Sequence, residues 1–159
     1  MLQNIKQKRQ EGFTIIEVLI VLAIAGLIMV VVFLAVPALQ RNSRNNALKT
    51  DANNVLSGVG EYLANNAGTL PSAVALAGTT VTVGATGTNQ STVNVGGGTT
   101  GAQLNGATPT GIGVVQVVTG VKCTGSSGAT TATGASGRSY VVVYRVETGS
   151  GTALICTGS

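Results

Sequence analysis

Residues 12–17 of the chain read Gly-Phe-Thr-Ile-Ile-Glu, and residues 18–36, which follow directly, contain no polar side chain. As a helix, residues 13–36 would span about 36 Å, which is enough to cross a hydrocarbon core of about 30 Å. Glu17 lies just inside the N-terminal end of this apolar run. A charged side chain there costs about 3 kcal/mol on membrane-insertion scales, so we expect Glu17 to have a function and a partner. The alternative is a glutamate that reaches back to the membrane surface from a plain anchor.

The apolar run differs from that of a secretory signal peptide. Such a peptide has an apolar region of only about 7–15 residues and ends at a small-residue cleavage site. Here the run is longer, and Val36-Pro37-Ala38 is a poor cleavage sequence. The sequence therefore predicts one membrane-spanning helix. Its orientation is not set by charge, because three basic residues precede it (Lys6, Lys8 and Arg9) and three follow it closely (Arg41, Arg44 and Lys49).

The helical pattern continues beyond the apolar run. Pro37 removes one backbone hydrogen bond and predicts a kink, but apolar residues resume at helical spacing after it. They form one face of an amphipathic helix: Leu39, Leu48, Ala52, Val55, Leu56, Val59 and Leu63. Asp51 and its polar neighbours are expected on the wet face. Asn65, Asn66, Gly68 and Pro71 predict the end of the helix.

The C-terminal half has the composition of a β-sheet domain. Residues 78–159 contain 18 glycines and 18 threonines, and the remainder is rich in valine. Strands are predicted at 112–119, 140–147 and 152–157, with weaker ones at 79–83 and 91–95, whereas 84–111 and 124–139 read as long surface loops. Within 140–147 the even positions are apolar, which predicts one face on a core and the other in water. The predicted fold is α+β, with the long N-terminal helix packed on a small antiparallel β-sheet.

Two cysteines, Cys123 and Cys156, both fall in this C-terminal half. An even pair in a membrane-tethered domain favours a disulfide, and therefore an oxidising compartment outside the cytoplasm for the C-terminus. Two unrelated buried thiols are the alternative.

Catalysis finds little support in the composition. There is no histidine, and Glu147 is the only acidic residue after Glu61, so paired carboxylates and clustered metal ligands are not expected. We therefore predict no enzyme activity, no metal and no cofactor. Three basic residues with tyrosines nearby could form a weak nucleic-acid patch, although ordinary solvated charges are the favoured interpretation; these residues are Lys122, Arg138, Arg145, Tyr140 and Tyr144.

Residues 12–26, Gly-Phe-Thr-Ile-Ile-Glu-Val-Leu-Ile-Val-Leu-Ala-Ile-Ala-Gly, resemble the start of a type IV prepilin. The resemblance implies cleavage after Gly12 by a prepilin peptidase and N-methylation of the new N-terminal residue, Phe13. It implies that Glu17 is the glutamate required for assembly, and the Phe13 amine is a candidate partner for its carboxylate. It also matches Cys123 and Cys156 to the disulfide-bounded C-terminal loop of similar proteins.

The resemblance implies four parts. They are a cleaved cytoplasmic leader (1–12), a transmembrane and filament-core helix (13–37), an amphipathic helix half (38–68) and a head domain (69–159). The chain would cross the cytoplasmic membrane once with its C-terminus outside, and then enter a helical homo-oligomeric filament at the cell surface through a pilus assembly platform. The first proline falls later than is usual in the family, so we place any bend or melting of the helix between Gly26 and Pro37.

Three functions follow from this resemblance. The first is a major pilin, the repeating subunit of a type IV pilus used for adhesion, surface motility or DNA uptake. The second is a pseudopilin of a type II secretion system, whose major subunits often bind calcium through clustered acidic residues near the C-terminus; the single Glu147 in that region argues against it. The third is a minor pilin that binds DNA.

Overall fold

The computed structural model describes residues 12–96, 98–106, 108–124, 131–132 and 137–158. One long helix, α1 (Ile15–Asn65), runs unbroken through Gly26 and Pro37. The chain divides into two compact units, of which the first ends at Leu39 and the second begins at Gln40. We call the described residues from Gln40 onward the head domain. The predicted bend between Gly26 and Pro37 stays a prediction.

In the first unit, every described residue up to Leu39 is exposed. A helix that is apolar on all sides is normally covered by lipid or by other protein, because water does not stabilise such a surface. Among the described residues, α1 is the one helix long and apolar enough to cross a membrane. The predicted apolar helix is therefore present.

The second unit contains two sheets and one short ladder. The strands are β1 (Val74–Ala77), β2 (Thr80–Val83), β3 (Ser91–Asn94), β4 (Gly101–Leu104), β5 (Val114–Thr119), β6 (Lys122–Cys123), β7 (Thr131–Ala132), β8 (Tyr140–Thr148) and β9 (Gly151–Gly158). One sheet has the order β1-β2-β3, the other has the order β4-β5-β8-β9, and β6 pairs with β7. The predicted α+β fold, with a long N-terminal helix on small sheets, is confirmed. The sheet system differs from the single antiparallel sheet we expected, because β4 pairs with β5 in parallel.

The core of the head domain lies between the C-terminal half of α1 and the two sheets. The helix contributes Leu48, Ala52, Val55, Val59 and Tyr62, and the strands contribute Val81, Val83, Val115, Val117, Val142 and Tyr144. The buried helix positions recur every three or four residues, as an amphipathic helix requires. Leu39, which was expected on the apolar face, is 72% exposed and lies in the first unit.

Asp51 lies inside this interface and not on the wet face that the sequence suggested. Its side chain is only 2% exposed. The Gly96 backbone N–H donates to Oδ1, and the Thr99 hydroxyl donates to Oδ2 at 2.9 Å. These donors solvate the carboxylate in place of water, which is how a buried charged group is tolerated. The segment that supplies them crosses close to the helix, because a Cβ on Gly98 would lie 2.8 Å from the Leu48 nitrogen.

Replacing Asp51 with alanine is expected to destabilise the head domain by about 2 kcal/mol, since the buried Thr99 hydroxyl and the partly buried Gly96 N–H lose their acceptor. All three tyrosines of the chain, Tyr62, Tyr140 and Tyr144, lie in the head domain, and there is no tryptophan. Tyrosine fluorescence during urea unfolding of the detergent-solubilised chain therefore reports on this domain alone. The control is Asp51→Asn, whose amide oxygen still accepts from Gly96 and which should lose much less. Equal losses for both variants would contradict this role.

The outer face of the four-stranded sheet is covered near its middle, which corrects the expectation that it meets water. Val141 and Val143 are 0% and 2% exposed. The loop between β4 and β5 crosses this face, where the Gln116 amide donates to the Gly106 carbonyl and the Arg145 guanidinium donates to the Pro109 carbonyl. The helix covers one face of β8 and this loop covers the other, so all four residues from Val141 to Tyr144 are buried.

The helix is also fastened to the end of β8. Arg44 donates to both oxygens of Glu147, at 2.8 and 2.7 Å. The Asn45 side chain exchanges two hydrogen bonds with the Glu147 backbone, both 2.8 Å long. β5 pairs with β8 only as far as Tyr144. Asn45 therefore provides hydrogen-bond partners for the Glu147 backbone groups, which lie beyond that pairing.

Acid is expected to weaken this attachment. The hydrogen bonds from Arg44 lower the pKa of Glu147 below its ordinary value of about 4.5. The folded carboxyl holds its proton less tightly than the unfolded one, so the added stability is present above pH 4.5 and is lost as the pH falls through the folded pKa. Urea unfolding at pH 7 and pH 3 should show the natural chain more stable than Glu147→Gln at pH 7, by a margin that is smaller at pH 3. An undiminished difference at pH 3 would argue against the pair.

Candidate functional site

The N-terminal end of α1 is built as a capping box around Thr14 and Glu17. The Thr14 backbone N–H and its hydroxyl donate to Glu17 Oε2 at 2.8 and 2.7 Å, and the Glu17 N–H points back at the Thr14 hydroxyl oxygen, 3.4 Å away. A threonine before the first helical residue and a glutamate three positions later satisfy helix donors that have no intrahelical partner. Sequence reasoning missed this role, although the Thr-x-x-Glu spacing signals it.

The predicted cleavage position lies immediately before this cap. Phe13 is 90% exposed, and a Cβ placed on Gly12 would contact nothing within 4 Å. The Gly12–Phe13 bond is therefore outside the helix and open to a protease. Glu17 is also exposed, so its carboxylate can exchange the bonds to Thr14 for another donor. Cleavage and N-methylation at these residues, and a role of Glu17 in assembly, stay predictions.

The two positions proposed for bending are exposed helix residues. Gly26 has open space around it, since a Cβ there would meet no atom within 4 Å. Pro37 lies one residue after the end of the unbroken apolar stretch. At Pro37 the ring removes one backbone donor from an otherwise regular helix.

Cys123 and Cys156 form a disulfide with a Cα–Cα distance of 5.8 Å, which lies in the usual range. Cys156 pairs in register with Val143 of β8, so the bond lies on the outer face of the sheet. It ties β6 to β9 and helps to cover Val143. The predicted loop at 124–139 falls largely outside the described residues.

The basic residues considered for nucleic-acid binding are partly engaged within the domain. Arg145 donates to the Pro109 carbonyl and, at 3.2 Å, to the Thr152 hydroxyl. The Arg138 guanidinium lies against Gly68 at the end of α1, because a Cβ on Gly68 would be 3.0 Å from its Nε. Lys122 is exposed. Arg145 is thus bonded within the head domain, whereas Arg138 and Lys122 are exposed.

No group of three or more potential metal-ligating side chains is found within the described ranges. The predicted absence of a metal or cofactor stays a prediction from the composition.

Comparisons with known proteins give one match. Residues 7–33 match the family model described as the prokaryotic N-terminal methylation motif. No curated protein and no solved structure matches the chain. The matched residues include the end of the leader, Gly12, the exposed Phe13, the capped Glu17 and the apolar helix as far as Phe33. The chain therefore carries the signature of a type IV prepilin.

Proposed function

We propose that the chain is a major pilin, the repeating structural subunit of a type IV pilus that serves adhesion, surface motility or DNA uptake. The observation that carries the proposal is the methylation motif at 7–33, placed at the start of a helix whose apolar side chains are exposed. Type IV pilins are structural proteins and not enzymes. The motif implies processing by a prepilin peptidase and assembly into a pilus.

The chemistry of assembly follows from the capped helix end. Cleavage after Gly12 creates an α-amino group on Phe13, four residues before Glu17. At neutral pH this ammonium and the carboxylate carry opposite charges at one membrane depth. A carboxylate without a partner is unfavourable in lipid. Pairing with the ammonium of a neighbouring copy removes this penalty, so it favours association of the subunits in one register. The exposed apolar helix then becomes the filament core.

The disulfide supports a location outside the cytoplasm for the head domain, because such bonds persist in oxidising compartments. We place the leader in the cytoplasm, the helix in the cytoplasmic membrane and the head outside. After assembly by the pilus platform, the head would lie on the surface of the filament.

The composition of sheared surface filaments tests the proposal. A major pilin is expected to be the most abundant subunit, present in large excess over every other chain that carries the motif. Quantitative mass spectrometry of the sheared fraction measures this ratio. A trace amount would indicate a minor pilin, and presence in envelope fractions without surface filaments would indicate a pseudopilin. Either result would overturn the proposal.

A further inference from the structure

Ile112 is an unusual residue on the surface of the head domain. It is 40% exposed, and it is the single large apolar side chain that is exposed among the described residues from Gln40 onward. It lies between Gly111 and Gly113 in the turn that leads into β5. An isolated exposed isoleucine needs no explanation by itself. Two further features suggest a function for Ile112: the rigid turn that carries it and a pocket on the same domain.

The turn around Ile112 is held firmly. Gly113 adopts a φ of +89°, a conformation that favours glycine, and its carbonyl accepts a hydrogen bond from the Thr100 N–H at 2.7 Å. A Cβ on Gly113 would lie 2.6 Å from the Thr100 hydroxyl oxygen. The isoleucine is therefore displayed at a fixed position, so it loses little conformational freedom when a partner covers it.

A pocket opens elsewhere on the same domain, between α1 and the strands β8 and β9. Its volume is about 270 Å³, and its lining residues are Asn45, Asn46, Lys49, Tyr144, Val146 and Ile155. The two aliphatic residues provide an apolar wall, and the helix residues provide a polar rim. This arrangement is typical of a site for one apolar anchor surrounded by polar contacts.

Tyr144 gives an independent indication that the pocket takes a ligand. The residue is only 3% exposed, yet its hydroxyl has no hydrogen-bond partner in the part of the chain that the structure describes. A buried tyrosine hydroxyl normally has a partner. No side-chain polar atom of the described residues is both fully buried and unpaired, so this hydroxyl retains some accessible surface, and Tyr144 is one of the residues that line the pocket. Burial raises the pKa of Tyr144, which keeps the hydroxyl protonated and able to donate.

We propose that Ile112 of one copy inserts into this pocket on the next copy, so that head domains contact one another in a head-to-tail manner along the filament. The inference rests on the proposed pilin function, which brings many copies together. The exposed Thr110 and Gly111 beside Ile112 offer acceptors for the Tyr144 hydroxyl. The inserted residue and the pocket lie at different places on each copy, so the contact is heterologous. A heterologous contact that does not close into a ring continues from copy to copy along a filament.

Cross-linking of the full-length chain in assembled filaments tests this contact. The double variant Asn46→Cys with Thr110→Cys places one thiol at the pocket rim and one on the turn beside Ile112, and it keeps Ile112 itself. A short bismaleimide is expected to give a ladder of covalent multimers, whereas each single variant should stay monomeric. A double variant that stays monomeric in filaments overturns the contact. A product that stops at dimers also overturns it, because it indicates a two-fold arrangement.

The matched control moves the second thiol to another surface. Thr92 is an exposed residue of β3 in the other sheet, so Asn46→Cys with Thr92→Cys is expected to give no ladder. An equal ladder from this pair would show that the cross-link reports crowding, and would overturn the specific contact. Failure of the wild-type chain to enter filaments would overturn the pilin function and this contact together. Filaments without the expected cross-link would overturn the contact alone.

Substitutions give a second readout. Ile112→Asp is expected to lower the amount of the chain in sheared filaments at least tenfold, and Thr110→Asp, two residues away and also exposed, is expected to lower it much less. Tyr144→Phe removes only the hydroxyl and should lower cross-linking of the double-cysteine chain severalfold. Formation of the Cys123–Cys156 disulfide in each variant checks that the head domain has folded. Normal filaments and normal cross-linking from folded variants would overturn the proposal.

Discussion

The Glu17→Gln variant is expected to be cleaved and methylated like the natural chain, and yet to be absent from filaments. Glutamine can replace glutamate in a capping box, so the bonds with Thr14 that begin α1 are retained. The substitution removes only the negative charge. The Phe13 ammonium of a neighbouring copy then lacks its counter-ion. Loss of one partner of a buried ion pair costs about 3–5 kcal/mol, which corresponds to a loss of assembly of about a hundredfold or more.

Thr14→Ala is the matched control for this experiment. It removes the hydroxyl that bonds to Glu17 but keeps the charge, so the helix end loses about 1 kcal/mol and assembly continues. Immunoblots of whole-cell and sheared fractions measure expression and incorporation for both variants. Normal filaments from Glu17→Gln would show that the charge is not needed. Loss of filaments from Thr14→Ala alone would assign Glu17 to capping and not to pairing.

Removal of the disulfide is expected to have the largest effect on the stability of the head domain. The bond closes a loop with a sequence separation of 33, which contributes about 3.8 kcal/mol in the chain-entropy model. The head domain has no tryptophan or phenylalanine, so few large side chains compensate. The double variant Cys123→Ser with Cys156→Ser should show a much lower urea midpoint by tyrosine fluorescence.

Reduction of the natural protein provides the control for that variant. The reduced chain and the double variant should unfold at nearly the same urea concentration, because both lack the same cross-link. A midpoint unchanged by either treatment would contradict the structural role of the bond. Loss of stability in the double variant alone would point to a packing defect from the serines.

The helix and the long strands were predictable because they rest on strong local signals. The helix ends at residue 65, where Asn65, Asn66 and Gly68 predict its end. β8 coincides with a valine-rich segment, and β9 with the predicted strand at 152–157. β1 and β4 are four residues long and rich in alanine or glycine, so composition did not predict them. The parallel pairing of β4 with β5 depends on a loop that crosses the sheet, which no local pattern reports.

Residues whose environment is set by distant segments could not be placed from the sequence. Asp51 has polar neighbours in the chain, and it is buried because Gly96 and Thr99 reach it across the interface. Val141 and Val143 share a strand face with the charged Arg145 and Glu147, and they are buried because a loop and the disulfide cover them. At the candidate site, the roles predicted for Gly12, Phe13 and Glu17 come from the resemblance of residues 12–26 to the prepilin motif, whereas the pocket beside Tyr144 exists only in the folded domain.

The most direct test of the central claim is the intact mass of the mature chain in sheared surface filaments. If the chain is a processed pilin, the mass corresponds to a polypeptide that begins at Phe13, carries one methyl group on its α-amine and has Cys123 and Cys156 oxidised. Fragmentation of the N-terminal peptide locates the methyl group. A mature protein that still begins at Met1 would contradict the account.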